Sequence, residues 1–312
     1  MAMGIVSESF KHGLPHAATT IDGAAVVQTI GKIWYVDAGQ AVGSNGSGTS
    51  WQTAFQTMAE AFAVLASGDV IFVSGKVTEQ LVTPVQVFDV RVIGIGPANR
   101  HADATPVGGN QATAQWAPPA SGAVSGQASV RVLQQGWQFQ NLLFTMESST
   151  AAGIELVRNA ASGNDERDAS HAHIYGCKFA GAGVGIRAGV AGLFTELVNH
   201  VRVEDCVFID NTYAIRDAIG TSRWVIKGNE FQANTNHIVA MLGASFIYDN
   251  IFGAFTTDAI ELPGGAGSNI ITKNYLSGTY SSAGGYTRSN ANDEWAGNFN
   301  TLSGGITVSD PA

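Results

Sequence analysis

Arg187 and Arg216 each follow an isoleucine in the similar runs Gly-Ile-Arg-Ala-Gly and Ala-Ile-Arg-Asp-Ala, and Asp210 and Asp217 lie close by in the chain. Two guanidinium groups beside two carboxylates could grip an acidic sugar. A carboxylate would then serve as general acid or base for hydrolysis, or an arginine as the base for elimination. The same four charges could equally neutralise one another on a solvated or interfacial face. Which of these holds depends on the elements that carry them.

Those elements repeat. An apolar residue is followed three positions on by Leu, Cys or Asn and, in most cases, five positions on by Phe: Phe139/Leu142/Phe144, Ile174/Cys177/Phe179, Val203/Cys206/Phe208, Ile226/Asn229/Phe231, Ile247/Asn250/Phe252 and Ile271/Asn274/Leu276. A second isoleucine follows each of the first five blocks, at Ile154, Ile186, Ile215, Ile238 and Ile260. Two short apolar strands per repeat, in two registers that hold together, predict a parallel β-solenoid whose equivalent residues stack about 4.8 Å apart. The fold class expected is all-β, a single-stranded right-handed parallel β-helix with a short N-terminal capping helix. The phenylalanines and isoleucines should fill its interior, and Asn229, Asn250 and Asn274 should form an amide ladder at a bend, with Cys177 and Cys206 in the same column.

The frame also predicts what faces outward. One outward column after the second isoleucine reads Glu155, Arg187, Arg216, Val239, Glu261. Two others read Tyr175, Glu204, Lys227, Tyr248, Thr272 and Gly176, Asp205, Gly228, Asp249, Lys273, where acids alternate with Gly and Lys instead of clustering. Val207, Ile251 and Tyr275 are outward apolar positions, which favours a lateral contact with another subunit. His171 and His173, two apart on an expected strand, would share a face but lack a third ligand, so no metal is expected. Two buried free thiols are expected at Cys177 and Cys206, because ladder spacing exceeds the Cβ separation a disulfide prefers.

Before the repeat, Ile-Trp-Tyr-Val at 33–36 and Asp-Val-Ile-Phe-Val at 69–73 read as strands. Between them, Ala54, Met58, Ala61, Phe62 and Leu65 share one helical face, which predicts an amphipathic capping helix near 51–66 with Ser50 or Thr53 as N-cap. Three segments follow: an arm at 1–32, the solenoid at 33–280, and a C-terminal cap at 281–312. The arm carries Ile5, Val6, Phe10 and Leu14 as apolar anchors beside Lys11 and His12, and reads either as a tether to a larger assembly or as a disordered tail.

The run Trp34-Tyr35-Val36-Asp37, a Gly/Ser loop, Trp51-Gln-Thr-Ala-Phe55 and Gly68-Asp69-Val-Ile-Phe-Val73 resembles the opening of pectate-lyase-like right-handed β-helix proteins. More narrowly it is similar to short β-helix proteins of bacteriophage virions, as is the closing stretch around Trp295-Ala-Gly-Asn298 and Gly304-Gly305-Ile306. The resemblance implies a homotrimeric, non-enzymatic structural protein of a tailed-phage virion. Its expected role is capsid decoration or head spike, docked on the major capsid protein or another virion protein through the arm. The adjacent acidic and basic motifs that pectin hydrolases use on this fold are missing from the sequence. The alternative is a tail spike, a receptor-binding protein with polysaccharide depolymerase activity that uses Arg187, Arg216, Asp210 and Asp217, with a host-surface glycan as partner.

Composition agrees with a β-solenoid. Gly 38 in 312 residues, 45% hydrophobic and only 13% charged residues leave too few long charged side chains for exposed helical faces. A formal charge of −9 without clustered Lys and Arg excludes a nucleic-acid partner, and no uninterrupted apolar run is long enough to cross a membrane as a helix. No cofactor is expected, and localisation to the virion follows from the resemblance alone.

Overall fold

In the computed structural model, residues 31–39, 46–96, 113–118, 127–146, 151–160, 166–189, 198–263, 267–276, 286–287, 291–300 and 307–308 are described. The expected arm anchors Ile5, Val6, Phe10 and Leu14, and most of the expected C-terminal cap, lie outside them.

The chain winds as a parallel β-helix with three strand faces. Sheet I carries the first strand of each coil, sheet II the second and sheet III the third. Sheets I and II are joined through the strand Val70–Val77, which turns from one to the other at Gly75 (φ 81°), and among the described residues they together count 19 strands and sheet III 8. Nearly all pairings are parallel and follow the repeat register: Phe139, Ile174, Val203, Ile226, Ile247 and Ile271 pair in sheet I. Phe144, Phe179, Phe208, Phe231 and Phe252 pair in sheet II. Ile154, Ile186, Ile215, Ile238 and Ile260 pair in sheet III.

Alternation of side chains along each strand sends these columns inward, where all are buried. The phenylalanine rings stack with centroids 5.0, 4.9, 4.9 and 4.8 Å apart, the strand spacing itself. At the bend between sheets I and II, a residue at positive φ (Gly176, Asp205, Gly228, Asp249, Lys273) turns the chain, and the next side chain points in. There Asn229, Asn250 and Asn274 each donate hydrogen bonds to the asparagine of the next coil, and Asn298 accepts the last of them. Cys177 and Cys206 continue that column as buried free thiols. Their Sγ atoms reach the carbonyls of Phe139 (3.5 Å) and Ile174 (3.6 Å), the acceptors that the asparagine amides use in later coils.

The N-terminal end differs from expectation in one respect. Ser50 caps only a short 3-10 turn, Trp51–Thr53, because Phe55 is drawn into the first coil: its N–H donates to Tyr35 O and its carbonyl accepts from Asp37 N, both at 2.8 Å. Helix α1 (Met58–Val64) therefore begins later, with Thr57 as N-cap in a capping box with Glu60. The Glu79 carboxylate takes the next two free amides, Met58 N at 2.7 Å and Ala59 N at 3.0 Å. Met58, Ala61 and Phe62 are buried, Phe62 edge-on to Trp137, so α1 covers the open end of the stack.

At the other end the solenoid runs past residue 280. Glu294–Ala296 and Phe299–Asn300 pair in parallel with the preceding coil, placing Trp295 below Ile271 and bringing Asn298 into the amide ladder. The strand Thr307–Val308 then returns antiparallel to Phe299–Asn300.

Candidate functional site

The outward column of sheet III holds the charged residues singled out above. Glu155 is fully buried and lies between two arginines: Arg131 pairs with its Oε2, and Arg187 Nη2 with its Oε1 at 2.7 Å. In-register pairing of Arg131, Glu155 and Arg187 on successive coils creates this sandwich. Arg216, one coil on, is exposed, with its guanidinium over the Tyr213 ring at 4.6 Å.

The two aspartates do not join this column. Asp217 follows Arg216 in the strand, so it points inward, pairing in register with Ala188 and Ala240. Its carboxylate accepts from Ile219 N (3.0 Å) and Thr221 Oγ1 (2.9 Å), and burial pushes its pKa up to about 6. Asp210 sits exposed at a positive-φ turn (57°) at the end of a sheet II strand. The groove imagined for Arg187, Arg216, Asp210 and Asp217 is thus divided: two residues outward on sheet III, one inside the helix, one on a turn. Strand alternation is the reason for Asp217, since neighbours in a strand face opposite ways.

His171 is not on the strand with His173. It occupies a turn at φ 62°, and its ring stacks on His200 of the next coil (4.7 Å, 3°). His173 instead faces Glu204, Nε2 to Oε2 at 2.8 Å, and Arg202 binds the other carboxylate oxygen at 3.0 Å. Burial holds the His173 pKa below its usual value despite Glu204. Burial alone would raise Glu204, but Arg202 and then His173 hold it down. Among the described residues no group of three or more His, Cys, Asp or Glu is arranged to hold a metal ion.

The outward apolar positions divide as well. Val207, expected at the surface, is buried at 7% exposure, with the flanking Lys178 of its column at 8%. Ile251 is 50% exposed, and Tyr275, its register partner, is half-buried. Sequence reasoning missed two companions on sheet I, Phe246 (45%) and Ile270 (40%), which pair in register with each other. The signal was available: both stand one residue before an inward isoleucine, an outward position by the same frame. Phe246 and Ile270 are thus exposed on sheet I, and Ile251 on sheet II across the bend that carries Asp249 and Lys273.

No protein-family model matches this chain, and no curated protein matches it. Among solved structures it is similar to pectate lyase Pel9A, at 13% identity over 88% of this chain and 78% of that one, with a TM-score of 0.47. It is similar to the pectin methylesterase from Aspergillus niger in deglycosylated form, at 15% identity over 93% and 94%, with a TM-score of 0.42. It is also similar to ORF18 of Geobacillus virus E2, at 11% identity over 96% and 64%, with a TM-score of 0.34.

Proposed function

We propose that the protein is a non-enzymatic structural component of a tailed-phage particle, a capsid decoration or head-spike protein that acts as a homotrimer. The observation that carries this reading is the pairing of a rod locked from coil to coil with large apolar side chains exposed on its C-terminal coils, Phe246 and Ile270 on sheet I and Ile251 on sheet II. Large exposed apolar side chains in one region mark a contact surface, and rigid rods serve display and coverage. That Glu155, Arg187 and Asp217 each already have partners supports a structural role over a depolymerase. Attachment to the particle is assigned to residues 1–32, through Ile5, Val6, Phe10 and Leu14.

The test is the chain's abundance in purified particles, measured by mass spectrometry, together with re-binding of added protein to particles that lack it. Full-length protein should bind at a fixed ratio to the major capsid protein. A version lacking residues 1–30 should stay folded and fail to bind. Absence from particles, or release of reducing ends or unsaturated sugars from host polysaccharide, overturns the reading.

A further inference from the structure

The turn that leads from sheet III into sheet I carries basic side chains that the structural role does not use. His171, His200 and Arg223 stand at equivalent places on three successive coils, all at positive φ (62°, 58° and 59°). Each is held there by its backbone N–H, which donates to the next coil: His171 N to Asn199 O (3.0 Å), His200 N to Ser222 O (3.1 Å) and Arg223 N to Gly243 O (2.9 Å). The two imidazoles lie face to face, and His200 Nε2 is 3.5 Å from Arg223 Nη1. Two residues on from each histidine, past the inward Ala172 and Val201, His173 and Arg202 face outward in the same column as Arg91.

The acids beside this patch are already engaged. Glu204 is shared by His173 and Arg202. Asp168 accepts from Ser170 N (2.8 Å) and Gln135 Nε2 (3.0 Å), with Arg158 at 3.8 Å. Asp89, at the same turn two coils before His171, lies over the intervening Gly136. Among the described residues, Arg91 and Arg223 pair with no carboxylate. In a chain of net charge −9, this is a local excess of positive charge that attracts an anion while the chain as a whole repels it.

Guanidinium and imidazolium groups hold carboxylates through charge-assisted hydrogen bonds. The spacing fits a peptide. His171 and His173, and likewise His200 and Arg202, stand two residues apart. In an extended peptide the side chains of one face also recur at every second residue, about 6.8 Å apart. We propose that this surface docks an extended acidic peptide of a partner protein, with Arg91, Arg202 and Arg223 as permanent charges and His171, His173 and His200 adding theirs as pH falls. Burial, then His171 and Arg223, lower the His200 pKa, and Asp168 acts against them; burial and the two flanking arginines lower that of His173 against Glu204. Both rings therefore gain their charge on the acid side of pH 6.5, where the carboxylates of the peptide are still ionised.

The proposal does not rest on the virion reading, and its failure would leave that reading untouched. Full-length protein at low ionic strength is titrated into a fluorescein-labelled peptide of about ten residues, alternating Glu and Gly, and binding is read by fluorescence anisotropy. The peptide should bind at pH 5.5 and roughly tenfold more weakly at pH 8. His200→Asn combined with Arg223→Asn should weaken binding at pH 5.5 by about tenfold or more. Asn tolerates positive φ, so this variant should keep the wild-type unfolding midpoint. Lys273→Asn removes a cation at a positive-φ turn of the other bend and should leave binding unchanged. No binding at pH 5.5, equal binding at the two pH values, or equal binding by the double variant overturns the proposal. An equal loss in Lys273→Asn would reveal general charge attraction and overturn it too. So would displacement of the peptide by a polyuronate or polyphosphate at a lower concentration of anionic groups than an unlabelled Glu-Gly peptide needs, because the ligand would then be a polyanion of another class.

Discussion

Asn229 donates both its backbone N–H and its side-chain amide to one oxygen, Oδ1 of Asn250, each at 3.0 Å. The Asn250 amide in turn donates to Asn274 Oδ1 (2.9 Å) and to the carbonyl of Ile226 (3.0 Å). Asn229, Asn250 and Asn274 therefore each tie together three coils, inside the helix and away from water. Asn250→Ala removes the acceptor for both Asn229 groups and the donor for Ile226. A buried polar group without a partner costs about 1–3 kcal/mol, so the variant should unfold at a clearly lower urea concentration than wild type. An unchanged midpoint would mean the ladder carries no stability.

Asp217 provides a pH-dependent handle. Its folded pKa of about 6 lies above the unfolded value of 3.8, so the folded state favours the protonated form. Stability linked to it is complete below about pH 4 and is lost as pH rises through 6. Asp217→Asn keeps the shape and removes the ionisation. It should raise the unfolding midpoint at pH 8, by a stabilisation on the order of 2–3 kcal/mol at 1.36 kcal/mol per pKa unit, and change little at pH 4. Equal effects at both pH values would contradict inward placement.

His237 acts in the opposite direction. Its ring is fully buried against Phe231, Phe252 and Phe255, accepts from Asn234 Nδ2 at 3.0 Å, and has its other nitrogen 3.3 Å from Gly253 O. Burial lowers its pKa from 6.5 to about 4. The stability it contributes is present above pH 6.5 and is lost as pH falls towards 4. The NMR titration of His237 should have a midpoint near 4, and a midpoint at the ordinary histidine value of 6.5 would contradict its burial.

Asp69 fastens the cap. Buried at 1% exposure, it accepts from Lys32 N (2.6 Å), Trp34 Nε1 (2.8 Å) and Ala66 N (2.9 Å), joining the first strand to the end of the α1 segment. Asp69→Ala leaves these donors unpaired. Hydrogen exchange should accelerate in Met58–Val64 and the first strand while amides of the coils at 226–252 keep their protection. Uniform acceleration along the rod would show that the cap does not open separately.

How far the sequence could be read follows from how each feature is encoded. The phenylalanine and asparagine columns were legible because one residue type recurs at one offset. A second polar ladder was not, because it uses different types for one job: Trp224 N donates to Ser245 Oγ, Ser245 N to Asn269 Oδ1 and Asn269 N to Asp293 Oδ1. The coil at 294–300 was hidden by Trp295 and Asn300 standing where Ile and Phe had led. The late start of α1 depended on a tertiary contact, Phe55 joining Tyr35, which a helical wheel does not contain. For the candidate site, the frame gave the Glu155–Arg187–Arg216 column correctly, but Val207 shows that an outward position need not be an exposed one.

The contact face is tested most directly by the molar mass of the purified protein in solution, measured by light scattering at micromolar concentration. The account predicts three times the chain mass of 32.5 kDa for wild type, and a folded single chain for Phe246→Glu combined with Ile251→Glu. Val207→Glu, which places a charge at a buried site, should lower the unfolding midpoint instead. A wild-type protein that runs as a single chain, or a double variant that stays trimeric, would contradict the assignment of this face.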